Sequence, residues 1–242
     1  MQLIWNLWKS SGGLILDMTA LKLENLTKYY HLSDSDIRVL DGVCMEVKKG
    51  EFISIRGESG AGKSTLLNIL GALDRADAGK IIVNDIDLET FHTSNRSHVY
   101  RRNIIGFIFQ NHYLMTDFTL LENVTMPLLA RSIPLKEATS IAQQTLLKVG
   151  LDHRLKHYPN QISGGESQRA AVARAVVHRP DIILADEPTG NLDEKNAQVF
   201  LDLLNEFRLD YKLTVLMVTH SLTLANRADR KFLIEKGLLR EV

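Results

Sequence analysis

The stretch Gly57-Glu58-Ser59-Gly60-Ala61-Gly62-Lys63-Ser64-Thr65 constrains this chain more than any other. It matches G-x-x-x-x-G-K-[ST], follows the apolar run Phe52 to Ile55, and opens a segment with Leu66, Leu67, Ile69, Leu70 and Leu73 at helical spacing. A backbone that wraps phosphate with inward N–H groups uses conformations a Cβ would block, hence the glycines. Lys63 places positive charge on the β- and γ-phosphates, and the Ser64 hydroxyl is offered to Mg²⁺. Arg56 stands just before the loop, where an apolar residue is expected.

The flanking sequence agrees with that context. "LKLENLTKYY" and "DGVCMEVKKGEFISI" read as strands, the latter a pair turning as a hairpin at Lys48-Lys49-Gly50. "GKIIVNDIDL" and "IIGFIFQ", which ends at Gln110, are further strands. Leu120 to Val149 is helical, punctuated by Pro127 and Pro134. "PDIILADEP" and "KLTVLMVTH" are short continuous apolar runs, suited to buried parallel strands. Strands alternating with helices predict an α/β parallel sheet with a mainly helical lobe inserted over about residues 111–165.

Composition narrows the function. Lys plus Arg and Asp plus Glu both number 29, so no overall charge draws the chain to nucleic acid or anionic lipid. Arg96, Arg101 and Arg102 form a short, interrupted cluster that reads as a solvated face. The single cysteine, Cys44, excludes an intrachain disulfide, and its strand setting predicts a buried thiol. No segment approaches the roughly 18 continuous apolar residues of a membrane span, so a membrane role is expected to be peripheral. Residues 1–17 read as an extension before a working start at Met18, with a surface anchor through Trp5 and Trp8 as the alternative. Residues 18–242 then form one domain.

Binding phosphate is not hydrolysing it, and "IILADE" supplies what hydrolysis needs. Asp186 can hold Mg²⁺ through its water shell, and Glu187 can polarise the attacking water. Taken alone, the pair also fits a helix cap. Gln110 and His220 end predicted parallel strands, where α/β ligand crevices lie, although either alone reads as a satisfied polar residue.

"QISGGESQRAAVARAVVHRP" looks like a second phosphate site. Ser163 and Glu166 have capping-box spacing, but a cap does not explain Gly164 and Gly165, each costing up to ~1 kcal/mol in a helix. Close backbone approach to an anion does. With Lys63 filling the local site, the anion belongs to a second copy.

Taken in order, Tyr30, "GESGAGKST", Gln110, "SGGESQR", "ILADEPTGNLD" and His220 resemble the full motif set of an ABC-type ATPase, from Leu21 to the C-terminus. The resemblance implies a P-loop NTPase fold: a RecA-like parallel core, an antiparallel β lobe and an inserted α-helical lobe. It implies a head-to-tail dimer clamping two MgATP. Tyr30 would stack on adenine, and Gly57, Glu58, Ser59, Gly60, Ala61 and Gly62 would wrap the phosphates. Lys63, Ser64 and Thr65 would hold phosphates and Mg²⁺, with Gln110 sensing the metal and Asp186 serving it. Ser163, Gly164 and Gly165 would meet the γ-phosphate in trans. Glu187 would be the base, Asp193 would lie across the interface, and His220 would contact the γ-phosphate. Ser221 departs from the family's usual Asp, and Ser167 from its usual Arg.

"DFTLLENVTMPLL", "GLDHR" and "DEPTGNLD" are similar to the lipoprotein-releasing ATPases of Gram-negative bacteria, which sit under a permease pair and extract lipoproteins from the inner membrane. That implies an ATPase peripheral to the cytoplasmic face of that membrane, with permease subunits as partners, lipoprotein as indirect cargo and no nucleic acid. Macrolide-efflux and cell-division ATPases share much of the pattern and are the alternative. An ATPase working on DNA or ribosomes would need a coiled-coil insertion, a fused second ATPase domain or a basic stripe; the sequence has none.

Overall fold

Period-two alternation builds the first layer of the computed structural model, which describes residues 18–32, 35–190 and 192–242. Strands β1 (Thr19–Leu32) and β2 (Ser35–Lys48) pair antiparallel, and β4 (Ala78–Val83) and β5 (Ile86–Asp87) complete a four-stranded sheet in the order β2-β1-β4-β5. In β2, Val43, Met45 and Val47 point inward and are buried. Cys44 lies between them and therefore points outward: the thiol is exposed, against the expectation of a buried one.

The second layer is a six-stranded sheet, β10-β9-β3-β8-β7-β6. It comprises β3 (Phe52–Arg56), β6 (Ile105–Phe109), β7 (Ile182–Asp186), β8 (Thr214–Val218), β9 (Arg230–Glu235) and β10 (Leu238–Glu241). Strands β9, β3, β8, β7 and β6 run parallel, and β10 turns back antiparallel on β9. The expected hairpin at Lys48-Lys49-Gly50 is not there, because β2 and β3 belong to different sheets. Gly50 is pinned instead to the parallel sheet's side, its N–H donating to Thr214 Oγ1 (3.1 Å) and its carbonyl accepting from Arg208 Nε (2.8 Å). The turn therefore carries the chain from one sheet to the other.

The parallel strands are buried on both faces, as their continuous apolar sequence predicts. Alternate residues serve two cores. Phe52, Ile183 and Ala185 join the core under the helices α4 (Leu120–Ala130), α5 (Leu135–Lys148), α6 (Gly164–Val176) and α7 (Glu194–Tyr211). Ile53, Ile55, Ile182 and Leu184 join the core shared with the antiparallel sheet and α1 (Lys63–Leu70). Helix α1 stops at Leu70, and Leu73, expected on its apolar face, is 51% exposed. Short helices α2 (Glu89–Thr93) and α3 (Ser97–Ile104) lead into β6, and α8 (Leu222–Ala225) follows β8.

Between β6 and β7 the chain is helical. Thr119 and Glu122 close a reciprocal capping box at the start of α4, and Pro134 stands at the N-cap of α5. Buried Asn123 staples the loop before α4: its amide nitrogen donates to the Met115, Phe118 and Thr119 carbonyls at 3.0 Å each, and its oxygen accepts from Met115 N. Among the described residues no helix is long and apolar enough to cross a membrane. The expectations for residues 1–17, including Trp5 and Trp8, lie outside the described residues.

Candidate nucleotide site

The loop after β3 ends at Gly62, whose φ of 99° is open to glycine and strained for other residues. Helix α1 then begins with no side-chain cap and no acid in its first turn. Uncapped N–H groups at the positive end of a helix form a ready seat for an anion. Lys63 lies across the loop, its buried ammonium donating to the carbonyls of Gly57 and Glu58 at 2.9 Å each.

The carboxylates arrive from the parallel end of β7. Ser64 Oγ donates to Asp186 Oδ1 (3.1 Å), joining the start of α1 to the end of β7. Burial pushes the Asp186 carboxyl above its ordinary pKa, and the Ser64 bond only partly opposes that. Glu187 has left-handed backbone (φ 43°), fixed by its N–H donating to Val218 O (3.0 Å). That twist turns its carboxylate away from the one before it. Glu187 Oε1 faces Lys63 Nζ at 3.8 Å, while Oε2 meets the backbone N–H and Nδ1 of His220 at 3.1 and 2.8 Å. Lys63, Ser64, Asp186, Glu187 and His220 thus form one connected cluster at a crevice of the kind α/β sheets use for ligands.

Gln110 follows β6. A Cβ on Gly190 would lie 2.6 Å from its Nε2, so that glycine makes room for the amide beside the loop after Glu187. The hydroxyl of Ser64, carboxylate of Asp186 and amide of Gln110 are hard oxygen donors, the kind Mg²⁺ takes. Among the described residues no group of three or more His, Cys, Asp or Glu gathers as a metal cage. Few protein ligands, with phosphate and water completing the shell, is the usual arrangement for Mg²⁺ beside a nucleotide.

Tyr30 stands on β1, 40% exposed, with its hydroxyl donating to Asp74 Oδ2 (2.9 Å) and Lys28 Nζ 5.2 Å from the ring centroid. Asp74 follows α1, so the aromatic ring and the phosphate loop are referenced to the same helix.

Ser163, Gly164 and Gly165 form a separate group. Ser163 and Glu166 complete the capping box, and Arg154 Nε donates to Glu166 at 2.9 Å. The Ser163 backbone N–H, with Arg154 in support, holds the Glu166 carboxyl down at about 2. A Cβ on Gly165 would lie 2.9 Å from Asn196 Oδ1, so Gly165 has a reason within its own chain. Gly164 faces open space and has none. Asn196 is itself held by Asp193, which caps α7 by accepting from Asn196 N (2.8 Å) and from its Nδ2 (3.0 Å). Among the described residues no hydrogen bond or ion pair joins Ser163, Gly164 or Gly165 to Lys63, Ser64, Asp186 or Glu187.

Asp74, Asn196 and His112 carry no motif; Gly190 lies inside "ILADEPTGNLD", where nothing in the sequence marks the room it leaves for Gln110. Ser221 accepts from Leu224 N (3.4 Å) as the N-cap of α8, a position where Ser and Asp serve alike. Nothing in the structure explains the charge at Arg56 or the Ser at Ser167.

The family model described as ABC transporter matches residues 40–190. The lipoprotein-releasing system ATP-binding protein LolD of Wigglesworthia glossinidia brevipalpis is 43% identical over 223 residues, spanning 92% of this chain and 97% of that protein. That of Cytophaga hutchinsonii is 45% identical over 219 residues, 90% and 98% of the two chains. Among solved structures, the dimeric bacterial ABC transporter cassette MJ0796 superimposes with a TM-score of 0.84 at 38% identity, covering 92% and 97% of the two chains. Its post-hydrolysis state, bound to ADP and Pi, gives the same TM-score at 37% identity and the same coverage. This chain belongs to the ABC transporter family, as an ATP-binding protein of the lipoprotein-releasing type.

Proposed function

We propose that this chain is the ATP-hydrolysing subunit of a membrane ABC transporter that releases lipoproteins from the inner membrane through a separate permease. The observation that carries the catalytic half is the single cluster of Lys63, Ser64, Asp186, Glu187 and His220 at the end of the parallel sheet. The likeness to lipoprotein-releasing relatives over nine-tenths of the chain supports the cargo.

On this reading Lys63 exchanges two carbonyl partners for phosphate oxygens, a stronger charge-assisted contact. Moving the ammonium also frees the Glu187 oxygen facing it, and that carboxylate accepts a proton from the attacking water. His220, oriented through Nδ1 by Glu187, presents its exposed edge toward the γ-phosphate. Ser64, Asp186 and Gln110 would hold Mg²⁺, which when bound would neutralise phosphate charge. Tyr30 offers its ring to the base. Ser163, Gly164 and Gly165 turn toward the nucleotide of a second copy, with Asp193 near the same seam. The dimeric state of the MJ0796 cassette supports that arrangement. The work takes place at the cytoplasmic face of the inner membrane, where the chain is peripheral.

The decisive experiment traps Glu187→Gln with ATP in native membranes, isolates it and identifies its companions by mass spectrometry. Recovery of a permease pair together with lipoprotein is the expected result. A permease of the cell-division kind, without cargo, would overturn lipoprotein release and leave an ATP-driven signalling clamp.

A further inference from the structure

Two carbonyl oxygens flank the imidazole of half-buried His112. Its Nδ1 lies 3.1 Å from the carbonyl of Gln110, and its Nε2 lies 3.2 Å from the carbonyl of Gly164, 52 residues along the chain. A protonated ring donates to both carbonyls and a neutral ring to one, and the bond to Gly164 is made when Nε2 carries the hydrogen. The first partner belongs to the loop that brings an amide to the proposed metal position. The second belongs to the helix start proposed to meet the other copy's nucleotide. The Nε2 contact joins those two motifs directly.

The loop that carries the ring is built to hold it there. Arg174, on α6, donates to the carbonyls of His112 (2.6 Å) and Tyr113 (2.5 Å). Both residues have left-handed backbone, φ 51° and 45°, which non-glycine residues keep only where their surroundings impose it. The loop is therefore fastened to α6 at two levels: by the imidazole at the helix start, and by the guanidinium further along the same helix.

We propose that His112 is a positioning residue, a strap that ties the Gln110 loop to the start of α6 within one protomer. Through it, the seating of Gln110 at its own nucleotide sets the pose in which Ser163, Gly164 and Gly165 meet the nucleotide of the second copy. The strap rests on the head-to-tail reading above. It requires no contact between His112 and nucleotide, so its loss is felt in dimer formation and not in the first binding step.

The test uses the full chain in the Glu187→Gln background, where bound ATP persists. Two quantities are measured: the ATP-dependent dimer dissociation constant by sedimentation equilibrium, and the affinity of the dilute monomer for a fluorescent ATP analogue. His112→Ala, which removes one strap from each copy, is expected to weaken the dimer roughly tenfold, the scale of two weak net hydrogen bonds, while monomer affinity stays within about twofold. His112→Gln, whose Nε2 reaches about as far as the imidazole Nε2, is expected to recover most of the dimer. His112→Asn, which reaches only the Nδ1 position, is expected to behave as Ala. A His112→Ala protein that dimerises like its background overturns the strap, as does equal rescue by Asn and Gln. Parallel loss of monomer affinity also overturns it, because the residue is then a general support of the fold. A background protein that itself fails to dimerise with ATP brings down the head-to-tail reading, and the strap with it.

Discussion

The two glycine-containing helix starts of this protein make opposite provisions for an anion. At α1 the first turn has no side-chain cap, and the residues around it are already joined to Asp186, Glu187 and His220. At α6 the first turn is capped by Ser163 and Glu166, braced by Arg154, and left with Gly164 facing open space. The first region is a site whose members lie on one chain. The second is a finished surface with an unfilled approach. The difference teaches that capping and anion binding draw on the same orphan N–H groups of a helix: α6 gives its first turn to a cap, and α1 leaves its own uncapped.

The sharpest way to break this contrast is to remove the proposed base. Glu187→Gln should cut ATP turnover about 10²–10⁴-fold while ATP binding and ATP-dependent dimerisation persist. Turnover near that of the parent chain in a steady-state assay would move the chemistry to another residue. The next test mixes a Lys63→Ala copy with a Ser163→Arg copy. One composite site stays intact in the mixed dimer, so the mixture should hydrolyse ATP several-fold faster than either variant alone. Activity no greater than the separate variants would mean that α6 does not serve a second copy's nucleotide, or that both sites must work together.

A smaller effect separates the regions by their response to charge. Burial penalises ionised Asp186 above its raised pKa, and the penalty is relieved as pH falls below it. Glu166 runs the other way: its stabilising contribution is present above the ordinary glutamate range and is lost as pH falls toward about 2. At neutral pH, Asp186→Asn should therefore raise the melting temperature and Glu166→Gln should lower it. In a chain of this size each kcal/mol moves the midpoint by a few degrees, so the signs are measurable. Calorimetry without nucleotide checks the signs, and like signs would dissolve the contrast. The smallest expected effect is at Ser221, where Ser221→Asp exchanges one N-cap for another and should shift stability by only a few tenths of a kcal/mol. A loss of several degrees in the same scan would assign Ser221 a role beyond the cap of α8.

The parts legible in the sequence are those whose chemistry is written in neighbouring residues. The phosphate loop needs its glycines at fixed offsets, and Asp186 and Glu187 follow a strand marked by its apolar run. What escaped was assembled by folding. Tyr30 meets Asp74 across 44 positions, and His112 meets Gly164 across 52. The expected hairpin at Lys49-Gly50 failed for a related reason. Local alternation is the same whether a turn returns to its own sheet or crosses to another, and here distant Thr214 and Arg208 decide by holding Gly50. The outward thiol of Cys44 follows from local information, because Val43, Met45 and Val47 already give the inward phase of β2. Gly165 reads in the sequence as room for an anion, and the fold gives it a second reason that no local pattern shows: a Cβ there would meet Asn196.

Strand β7 has a consequence that reaches past the site at its tip. Ile183 and Leu184 are adjacent in sequence yet belong to different interiors, one beneath the helices and one beneath the antiparallel sheet. The strand is a party wall, and Asp186 is the post at its end. Close-packed interiors yield little to compression, so a load on that post has no slack room to enter. Any displacement along the strand must be accommodated in both halves of the molecule at once.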